Sequence, residues 1–371
     1  MSWAIWITGR PGSGKSTLAR AGAARLAEVG RPVTMLELDQ LRRTLTPQPT
    51  YSDPEREAVY RALVFVAVAL TESGRPVLID ATGHRRAWRD LARASIPRYA
   101  EVQVECPLEV CVTRERSRPA GHAPRGIYDA AGRAGATVPG VNVPYERALA
   151  PELTVDTTRA DVDAAADRIA ALGLTLEPRE PRRRPAGAGA AIWLTGPPGS
   201  GKTTLASRLA EGLEAEGVPV TILEWAAAQA MVTDSPPSPA ALEIAHRALA
   251  AAAALLAAAG VTVIVDAAAP RRAWRELGRA LIPTFAEVQL VCPAEVCAER
   301  ERAVRWRPRP CAGGGAPRAP EPADAYEYAL APDLILDTRV RSEWTVTEDL
   351  LALARRLLGG RLEQGADHAS P

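Results

Sequence analysis

The sequence predicts an α/β protein made of two tandem domains, each a mostly parallel sheet with helices on both faces. Short apolar segments alternate with longer segments of helical periodicity along each half of the chain. Those short segments are apolar throughout, as strands covered on both faces are. Similar blocks of sequence also recur in the same order in the two halves, so the same fold is expected twice.

Matched blocks establish the internal repeat. AIWITGRPGSGKSTLA begins at Ala4, and AIWLTGPPGSGKTTLA begins at Ala191. VLIDATGHRRAWRDLARASIPRYAEVQVECPLEVC begins at Val77, and VIVDAAAPRRAWRELGRALIPTFAEVQLVCPAEVC begins at Val263. A third pair, PYERALAPELTVDT and AYEYALAPDLILDT, follows in each half. Three matched pairs in one order indicate a tandem duplication.

The domain boundaries follow from the repeat and from composition. We expect a first domain over 1–177 and a second over 191–358. The segment 178–190, PREPRRRPAGAGA, is rich in Pro, Arg and Gly and is typical of a linker. The tail 359–371 is expected to be flexible.

Within the first repeat, strands are predicted at 4–8, 32–38, 76–80, 100–105 and 153–156. Helices are predicted from 14 to 29, 55 to 73, 86 to 95 and 107 to 115. In such sheets, ligands bind at the carboxyl ends of the parallel strands. Thr8, Asp39 and Asp80 lie at or just past predicted strand ends and are therefore candidate site residues.

Composition limits the classes of partner. The 371 residues include 45 basic and 44 acidic side chains, a net charge of +1, which gives no support for binding to nucleic acid or to a membrane surface. The chain begins MSWAIWITGR, without the basic segment of a signal peptide. The apolar run 248–259 is short for a bilayer span. We expect a cytoplasmic protein whose cysteines are reduced.

GRPGSGKS fits the P-loop pattern G-x-x-x-x-G-K-[ST] and lies between a predicted strand and a predicted helix. Backbone N–H groups of such a loop surround phosphate oxygens at a helix N-terminus. Lys15 is expected to reach the β- and γ-phosphates of ATP, and the Ser16 hydroxyl to hold Mg²⁺. The predicted nucleotide site comprises Gly9, Arg10, Pro11, Gly12, Ser13, Gly14, Lys15, Ser16 and Thr17.

GPPGSGKT in the second repeat fits the same pattern. Each repeat is therefore predicted to be a P-loop NTPase domain. The second nucleotide site would comprise Gly196, Gly199, Gly201, Lys202 and Thr203. Catalysis there is a separate question.

Acidic and basic residues follow the other strands. Asp39 could accept the proton of an acceptor hydroxyl or place Mg²⁺, and its alternative role is a helix N-cap. Asp80 could act near Mg²⁺, and its alternative role is an Asx turn. Arg42 and Arg86 are candidate ligands for an anionic substrate. His84 lies in the same candidate substrate loop as Arg86.

Two further segments have competing interpretations. The segment 121–140, GHAPRGIYDAAGRAGATVPG, suits a lid that closes over phosphates, or is simply a disordered loop. Cys106 and Cys111, like Cys292 and Cys297, have the spacing C-x4-C, which is not a usual zinc spacing. These cysteines are predicted to lie in the core.

These motifs resemble the adenylylsulfate kinase family over nearly all of the first repeat. GRPGSGKST is similar to the family's GLSGSGKST, and LELDQLR to its LDGDNVR, which retains Asp39 and Arg42. YSDPER is similar to FSEEDR, which places Arg56, and then Arg61 on the same helix, among the substrate-binding residues.

The second half of the resemblance concerns the nucleotide and the lid. YAEVQVECPLEVCVTR resembles FVEVYVDAPLEVCEQR, which would place Tyr99 where an aromatic ring stacks on adenine and Arg114 near the nucleotide. RGIY resembles the lid motif KGLY and includes Tyr128. The sequence departs from the family at Val59, in place of an asparagine, and at Gly83, in place of a serine. Further departures are Val138 near a phenylalanine, Asp129 and Ala130 in place of lid lysines, and Asp80 where the family commonly has a small residue.

The resemblance implies ATP- and Mg²⁺-dependent phosphorylation of adenosine 5′-phosphosulfate at its 3′-hydroxyl by the first repeat, a step of sulfate assimilation. The departures leave open a P-loop kinase for another hydroxyl compound, such as a nucleoside, a sugar acid or an antibiotic, and a nucleotide-binding switch protein. The expected roles are catalysis by Lys15, Asp39 and Asp80, and metal binding by Ser16 and Asp80.

The second repeat departs further. Asp39 aligns with Ala226, Arg42 with Gln229, and Arg56 with Leu242. We therefore expect a degenerate domain that binds nucleotide and has lost phosphotransfer. The sequence leaves open whether the protein forms a homodimer or pairs its two repeats within one chain.

Overall fold

The computed structural model describes residues 1–117, 126–132, 136–178, 188–305, 326–340 and 342–359. Two compact units divide the chain, Met1–Arg183 with Met231–Ala248, and Arg184–Ala230 with Leu249–Pro371. This division groups Met231–Ala248 with the first unit, whereas the predicted boundaries place it in the second domain. Most of the predicted linker and the predicted tail from 360 onward lie outside the described residues.

The first repeat alternates strands and helices. Its strands are β1 Ala4–Thr8, β2 Thr34–Glu37, β3 Val77–Asp80, β4 Tyr99–Glu105 and β5 Leu153–Asp156. Its helices are α1 Lys15–Glu28, α2 Leu38–Leu45, α3 Asp53–Glu72, α4 Arg86–Ser95, α5 Leu108–Ser117 and α6 Val162–Thr175, with a 3₁₀ turn at Asp129–Gly132.

The second repeat has the same order of elements. Its strands are β6 Ala191–Thr195, β7 Val220–Glu224, β8 Thr262–Asp266, β9 Phe285–Val291 and β10 Leu334–Asp337. Its helices are α7 Lys202–Ala215, α8 Trp225–Val232, α9 Pro239–Ala258, α10 Arg272–Leu281, α11 Ala294–Arg305 and α12 Glu343–Leu358.

Each repeat forms a five-stranded parallel sheet, in the order β2-β3-β1-β4-β5 and β7-β8-β6-β9-β10. The predicted fold class is therefore confirmed. The sequence did not predict α2, which begins at Leu38 directly after β2, so Asp39 lies in the first turn of a helix rather than at a strand end.

Side chains of β1 show how the sheet is covered on both faces. Trp3, Ile5 and Ile7 belong to an apolar cluster with residues of α1 and α6. Trp6 points to the opposite face because side chains alternate along a strand. Its ring stacks with that of Tyr60 from α3, at 6.4 Å between centroids.

A buried ion pair connects α4 to the sheet. Arg89 is completely buried and donates from Nε to Glu101 Oε1 at 2.5 Å, and Glu101 is 4% exposed. Arg89 also donates to the carbonyl oxygens of Gly83 and Glu146. Burial raises the pKa of Glu101, and the charge of Arg89 opposes that rise. The cation is thus stabilised by a carboxylate and two carbonyls.

Among the described residues, α9 is the helix long and apolar enough to cross a membrane by length and composition. In that helix, 61% of the apolar window is buried inside the protein. A mostly buried helix of this kind is typical of a protein core, which is consistent with a soluble protein.

We expect Arg89→Met to lower the free energy of unfolding by about 3–5 kcal/mol, because Glu101 would remain buried without its cation. Arg275→Met is the matched change in the second repeat, where Arg275 pairs with Glu287 at 2.6 Å. Urea denaturation of each variant measures the effect. As a control, Arg25→Met at an exposed ion pair should leave the free energy of unfolding nearly unchanged. If Arg25→Met lowered it as much as Arg89→Met, the buried pair would contribute no more to stability than an exposed one.

Candidate functional site

The loop between β1 and α1 has the backbone shape of a phosphate cradle. Gly12 and Gly14 have φ values of 74° and 98°, in the left-handed region that glycine adopts without strain. A Cβ atom on Gly12 would lie 2.3 Å from the carbonyl oxygen of Cys111. The loop therefore needs glycine both for its turn and for its close approach to α5, and it leads into the N-terminus of α1.

Lys15 and Asp80 face each other at the mouth of this loop. Lys15 is 8% exposed and its Nζ donates to the carbonyl oxygen of Arg10 at 2.9 Å. Asp80 ends β3, is also 8% exposed, and accepts a hydrogen bond from the Ser16 hydroxyl. Burial raises the pKa of Asp80, against the lowering influence of Lys15 and Ser16. A cation beside this carboxylate would favour its ionised form.

A cavity of about 660 Å³ extends from the P-loop across the carboxyl edge of the sheet. It brings together residues from the P-loop, α2, α3, the loop after β3, α5 and the segments 126–132 and 136–139. Its lining includes Pro11, Gly12, Gly14, Lys15, Ser16, Thr17, Asp39, Arg42, Tyr51, Arg56, Tyr60, Asp80, His84, Arg114, Ile127 and Val138. Most of the sequence-predicted residues of the first repeat therefore share one cavity.

Arg42 occupies the wall of the cavity formed by α2. It is 8% exposed, and its Nη1 donates to Glu55 Oε1 at 3.1 Å. Burial raises the pKa of Glu55, but hydrogen bonds from Thr50 and Tyr51 and the charge of Arg42 bring it below its usual value. The carboxylate thus fixes the Arg42 guanidinium 5.0 Å from the centroid of the Tyr51 ring.

Arg56 approaches the same tyrosine from α3, at 5.7 Å from the ring centroid. Its Nε donates to the Tyr51 carbonyl oxygen at 2.9 Å, and its Nη2 to the Thr137 carbonyl oxygen at 3.1 Å and to the Thr137 hydroxyl. Burial, with a smaller effect from the charge of Arg42, lowers the pKa of Arg56. Two cations therefore lie close to one aromatic ring, and their combined charge favours an anion beside them.

Arg114 lies on the P-loop side of the cavity. Its guanidinium donates to the hydroxyl and to the carbonyl oxygen of Thr157, both at 2.9 Å. The Thr157 hydroxyl in turn donates to the Ser13 carbonyl oxygen at 2.8 Å. Arg114 is thereby held against the P-loop, where a nucleotide base or ribose would lie beyond the phosphates.

Tyr99 does not lie where the resemblance placed it, and that expectation was wrong. It is the first residue of β4 and pairs in register with Ala4, the first residue of β1. The P-loop follows the last residue of β1, so Tyr99 is at the opposite edge of the sheet. Its ring is buried beneath the guanidinium of Arg93 at 4.9 Å and cannot reach a nucleotide in the cavity.

Three other predicted substrate ligands do not line the cavity. Arg61 pairs with Asp234 at 2.7 Å and with Glu57, one turn away on α3, at 3.5 Å. Arg86 begins α4 and pairs with Asp90, one turn away, at 3.8 Å. Tyr128 is buried and donates to the carbonyl oxygen of Pro11 at 2.8 Å, so it supports the P-loop from behind. Each of these side chains contacts another residue of the protein and lies outside the cavity lining.

Two aromatic residues of the cavity, Tyr51 and Tyr60, were not predicted from the sequence. Tyr51 stands at the phenylalanine of the motif similar to FSEEDR, which was an available signal. Tyr60 accepts a hydrogen bond from the Gly83 N–H at 3.1 Å and stacks on Trp88 at 3.9 Å. His84 packs edge-on against both rings and lines the cavity.

The second repeat has its own P-loop with the same local geometry. Gly199 and Gly201 have φ values of 76° and 96°. Lys202 Nζ donates to the carbonyl oxygens of Gly196 and Pro197 at 2.8 and 2.9 Å. The Thr203 hydroxyl donates to Asp266 Oδ2 at 2.6 Å. The residues predicted for a second nucleotide site are therefore assembled.

Comparison with known proteins matches both repeats to one family. The model of the family described as adenylylsulphate kinase matches residues 1–156 and 188–309. The "Probable adenylyl-sulfate kinase" of Archaeoglobus fulgidus is 38% identical over 164 residues, which are 43% of this chain and 99% of that protein. The protein of the same name from Pyrococcus abyssi is 35% identical over 168 residues, 44% of this chain and 91% of that one.

A solved structure also matches. The APS kinase of Mycobacterium tuberculosis, solved in complex with AMPPNP and APS, is 30% identical, with a TM-score of 0.41, over 46% of this chain and 96% of that one.

The titration of His84 gives a testable consequence. Burial, followed by the charges of Arg56 and Arg85, lowers its pKa from 6.5 to about 4. Between those values the unfolded chain binds a proton that the folded chain does not, so stability falls as the pH is lowered. We expect this histidine to contribute a loss of about 2 kcal/mol between pH 7 and pH 5.

His84→Phe keeps an aromatic ring beside Tyr60 and Trp88 and removes the titrating group. Urea denaturation of both proteins at pH 7 and pH 5 measures the difference. The variant should lose about 2 kcal/mol less than the wild type over this range. Equal losses in the two proteins would show that His84 is protonated in the folded state.

Proposed function

The chain belongs to the adenylylsulphate kinase family, and we propose that its first repeat transfers the γ-phosphoryl group of ATP to the 3′-hydroxyl of adenosine 5′-phosphosulfate. The product would be 3′-phosphoadenosine 5′-phosphosulfate, as in sulfate assimilation. Family membership makes the chain a kinase. The choice of acceptor and the roles of individual residues are the proposal.

One observation supports the proposal most directly. A single cavity joins a phosphate-binding half, with Lys15 and Ser16, to a half with Asp39, Arg42 and Arg56. A kinase requires the two substrates to meet end to end in such a space. The two arginines provide positive charge for the sulfate and phosphate groups of the acceptor. Tyr51, whose ring both arginines contact, lines the same half of the cavity.

In the proposed reaction the acceptor oxygen attacks the γ-phosphorus. The bond between that phosphorus and the β–γ bridging oxygen breaks, and ADP leaves with the electron pair. Asp39 receives the proton of the acceptor hydroxyl. Lys15 and the backbone N–H groups of the P-loop stabilise the charge that develops on the phosphoryl oxygens. Arg42 and Arg56 orient the acceptor.

The residues at the mouth of the P-loop fit a Mg²⁺ ion. Ser16 and Asp80 provide a hydroxyl and a carboxylate that already contact each other, and oxygen is the ligand type that Mg²⁺ prefers. These two residues would hold the ion, which would neutralise phosphate charge when bound. Burial raises the pKa of Asp80 in the protein without ligand, and a bound cation would lower it again.

The predicted lid remains part of the proposal. Of its described residues, Gly126, Ile127, Ala130 and Val138 line the cavity, which supports a cover over the bound substrates. Arg125 of the RGIY motif lies outside the described residues. A cytoplasmic location, where ATP is available, is consistent with this chemistry, and homodimerisation or pairing of the repeats stays a prediction.

A second candidate is a P-loop kinase for another hydroxyl compound, which rests on Val59 and Gly83. Val59 is completely buried, so this departure does not open onto the cavity. Gly83 has a φ of 50°, and a Cβ there would lie 3.0 Å from Trp6 and 3.2 Å from Arg89. The geometry therefore relates Gly83 to packing of the loop and favours the first candidate.

ADP release with Mg-ATP and adenosine 5′-phosphosulfate tests the proposal. Lys15→Ala should lower kcat/KM at least about 100-fold, since it removes the side chain that contacts the β- and γ-phosphates. Asp39→Asn should lower kcat by about 10²–10⁴-fold with little change in the KM for ATP, because the amide cannot accept the proton. Wild-type protein that turns over a different hydroxyl compound and not this one would contradict the choice of acceptor.

Arg56 and Arg61 form a matched pair on α3, since both are arginines of one helix and only Arg56 lines the cavity. We expect Arg56→Ala to raise the KM for the acceptor at least about tenfold, because a half-buried guanidinium is removed from the cavity wall. Arg61→Ala should leave that KM within about twofold, because Arg61 does not line the cavity. Equal effects of the two changes would show that the substrate reaches beyond this wall.

A further inference from the structure

The P-loop of the second repeat makes the same key contacts as the P-loop of the first. Lys202 Nζ donates to the Pro197 carbonyl oxygen at 2.9 Å, as Lys15 Nζ donates to the equivalent carbonyl oxygen of Arg10 at 2.9 Å. A Cβ on Gly199 would lie 2.4 Å from the Cys297 carbonyl oxygen, which repeats the close approach at Gly12. The loop thus retains the shape that binds phosphate oxygens.

The pair of residues suited to a divalent cation is also retained. Asp266 ends β8, is 4% exposed, and accepts from the Thr203 hydroxyl at 2.6 Å. This pair repeats the contact between Ser16 and Asp80. Burial of a carboxylate without a cation lowers the stability of a domain. Here the carboxylate lies beside a hydroxyl, and these two ligand types bind Mg²⁺ in P-loop proteins.

The arginine beyond the phosphates is retained as well. Arg300 donates to the hydroxyl of Thr338 at 3.2 Å and to its carbonyl oxygen at 2.7 Å. Arg114 makes the same two bonds to Thr157 in the first repeat. Residues from α7, β8 and α11 therefore repeat the lysine, the hydroxyl–carboxylate pair and the arginine of the first site.

The acceptor side is not reproduced. Ala226 is the second residue of α8, as Asp39 is the second residue of α2, and a methyl group cannot accept a proton. Gln229 replaces Arg42 at the fifth position of the same helix and has no charge. In sequence, Leu242 stands in place of Arg56. The base and both cations that would serve the acceptor are thus absent from their positions.

From this contrast we propose that the second repeat binds a nucleoside triphosphate with a divalent cation and does not transfer its phosphoryl group. This inference goes beyond the proposed function, because it assigns a second ligand site to the chain. Phosphoryl transfer needs both a donor site and a positioned acceptor, whereas binding needs only the donor site. The chain would therefore hold two nucleotides and carry out one reaction.

Calorimetric titration of the full chain with Mg-AMPPNP, which is not hydrolysed, tests the binding half of the proposal. The wild type should bind two equivalents. Lys15→Ala and Lys202→Ala should each bind one at the same concentrations, and the double variant none, with each lost site weakened at least about tenfold. Thr203→Val removes the hydroxyl beside Asp266. Made in the Lys15→Ala background, it should weaken the Mg²⁺-dependent binding of AMPPNP at the second site.

One equivalent in the wild type, unchanged in Lys202→Ala, would overturn the proposal. Circular dichroism of each variant shows whether a lost site reflects unfolding, and Thr203→Val gives an independent reading if Lys202→Ala unfolds. Because AMPPNP binding involves no acceptor, failure of the wild type to turn over adenosine 5′-phosphosulfate would count against the proposed function alone.

ADP release tests the other half. Lys15→Ala should show no acceptor-dependent ADP release although its second site binds nucleotide, while Lys202→Ala should retain turnover. Acceptor-dependent turnover that survives Lys15→Ala and disappears in Lys202→Ala would overturn the claim that the second repeat transfers nothing.

Discussion

The position of the loop after β3, whose His84 lines the cavity, depends on the buried charge of Arg89. A guanidinium that is completely buried must have its N–H groups satisfied, since water cannot do so. Its partners lie on three separate segments: Glu101 on β4, Gly83 in the loop after β3, and Glu146 in the segment before β5. The loop that ends in His84 is therefore fixed by a cation that lies outside the cavity, and a shift of this loop would move part of the cavity wall.

The second repeat retains the same buried ion pair, although its candidate site residues differ from those of the first repeat. Arg275 is also completely buried and donates to Glu287 and to the carbonyl oxygens of Ala269 and Glu327. A buried ion pair cannot lose one partner without a large loss of stability, whereas an exposed or cavity-lining side chain can change at little cost. Arg42 itself pairs with Glu55, but the second repeat replaces both members of that pair, by Gln229 and Ala241, so neither is left without the other. The second copy can therefore retain the fold with Ala226 and Gln229 at the positions of Asp39 and Arg42.

Short sequence segments predicted the features of the fold that depend on neighbouring residues. The apolar strands, the P-loop and the repeat follow from short segments, and the fold and family were predicted correctly from them. Tyr99 was misplaced because the resemblance was carried over without regard to strand direction. This tyrosine precedes the predicted strand 100–105, at the amino end, whereas ligands bind at the carboxyl ends of parallel strands, and the register with Ala4 agrees. Arg61 and Arg86 do not line the cavity because helix phase and tertiary packing, which a local motif does not show, turn them toward carboxylates: Asp234 and Glu57 for Arg61, and Asp90 for Arg86.

The partners of the two cavity arginines differ in a way that bears on which acceptor can bind. Arg42 has the carboxylate of Glu55, so its charge is largely compensated and its position is fixed. Among the described residues, the hydrogen bonds of Arg56 go to neutral groups, and burial lowers its pKa. Under the proposed function, an anionic acceptor would supply a countercharge to Arg56. The protein would thus fix one cation with its own carboxylate and leave the second to be neutralised by the substrate, so that binding would be selective for an anion.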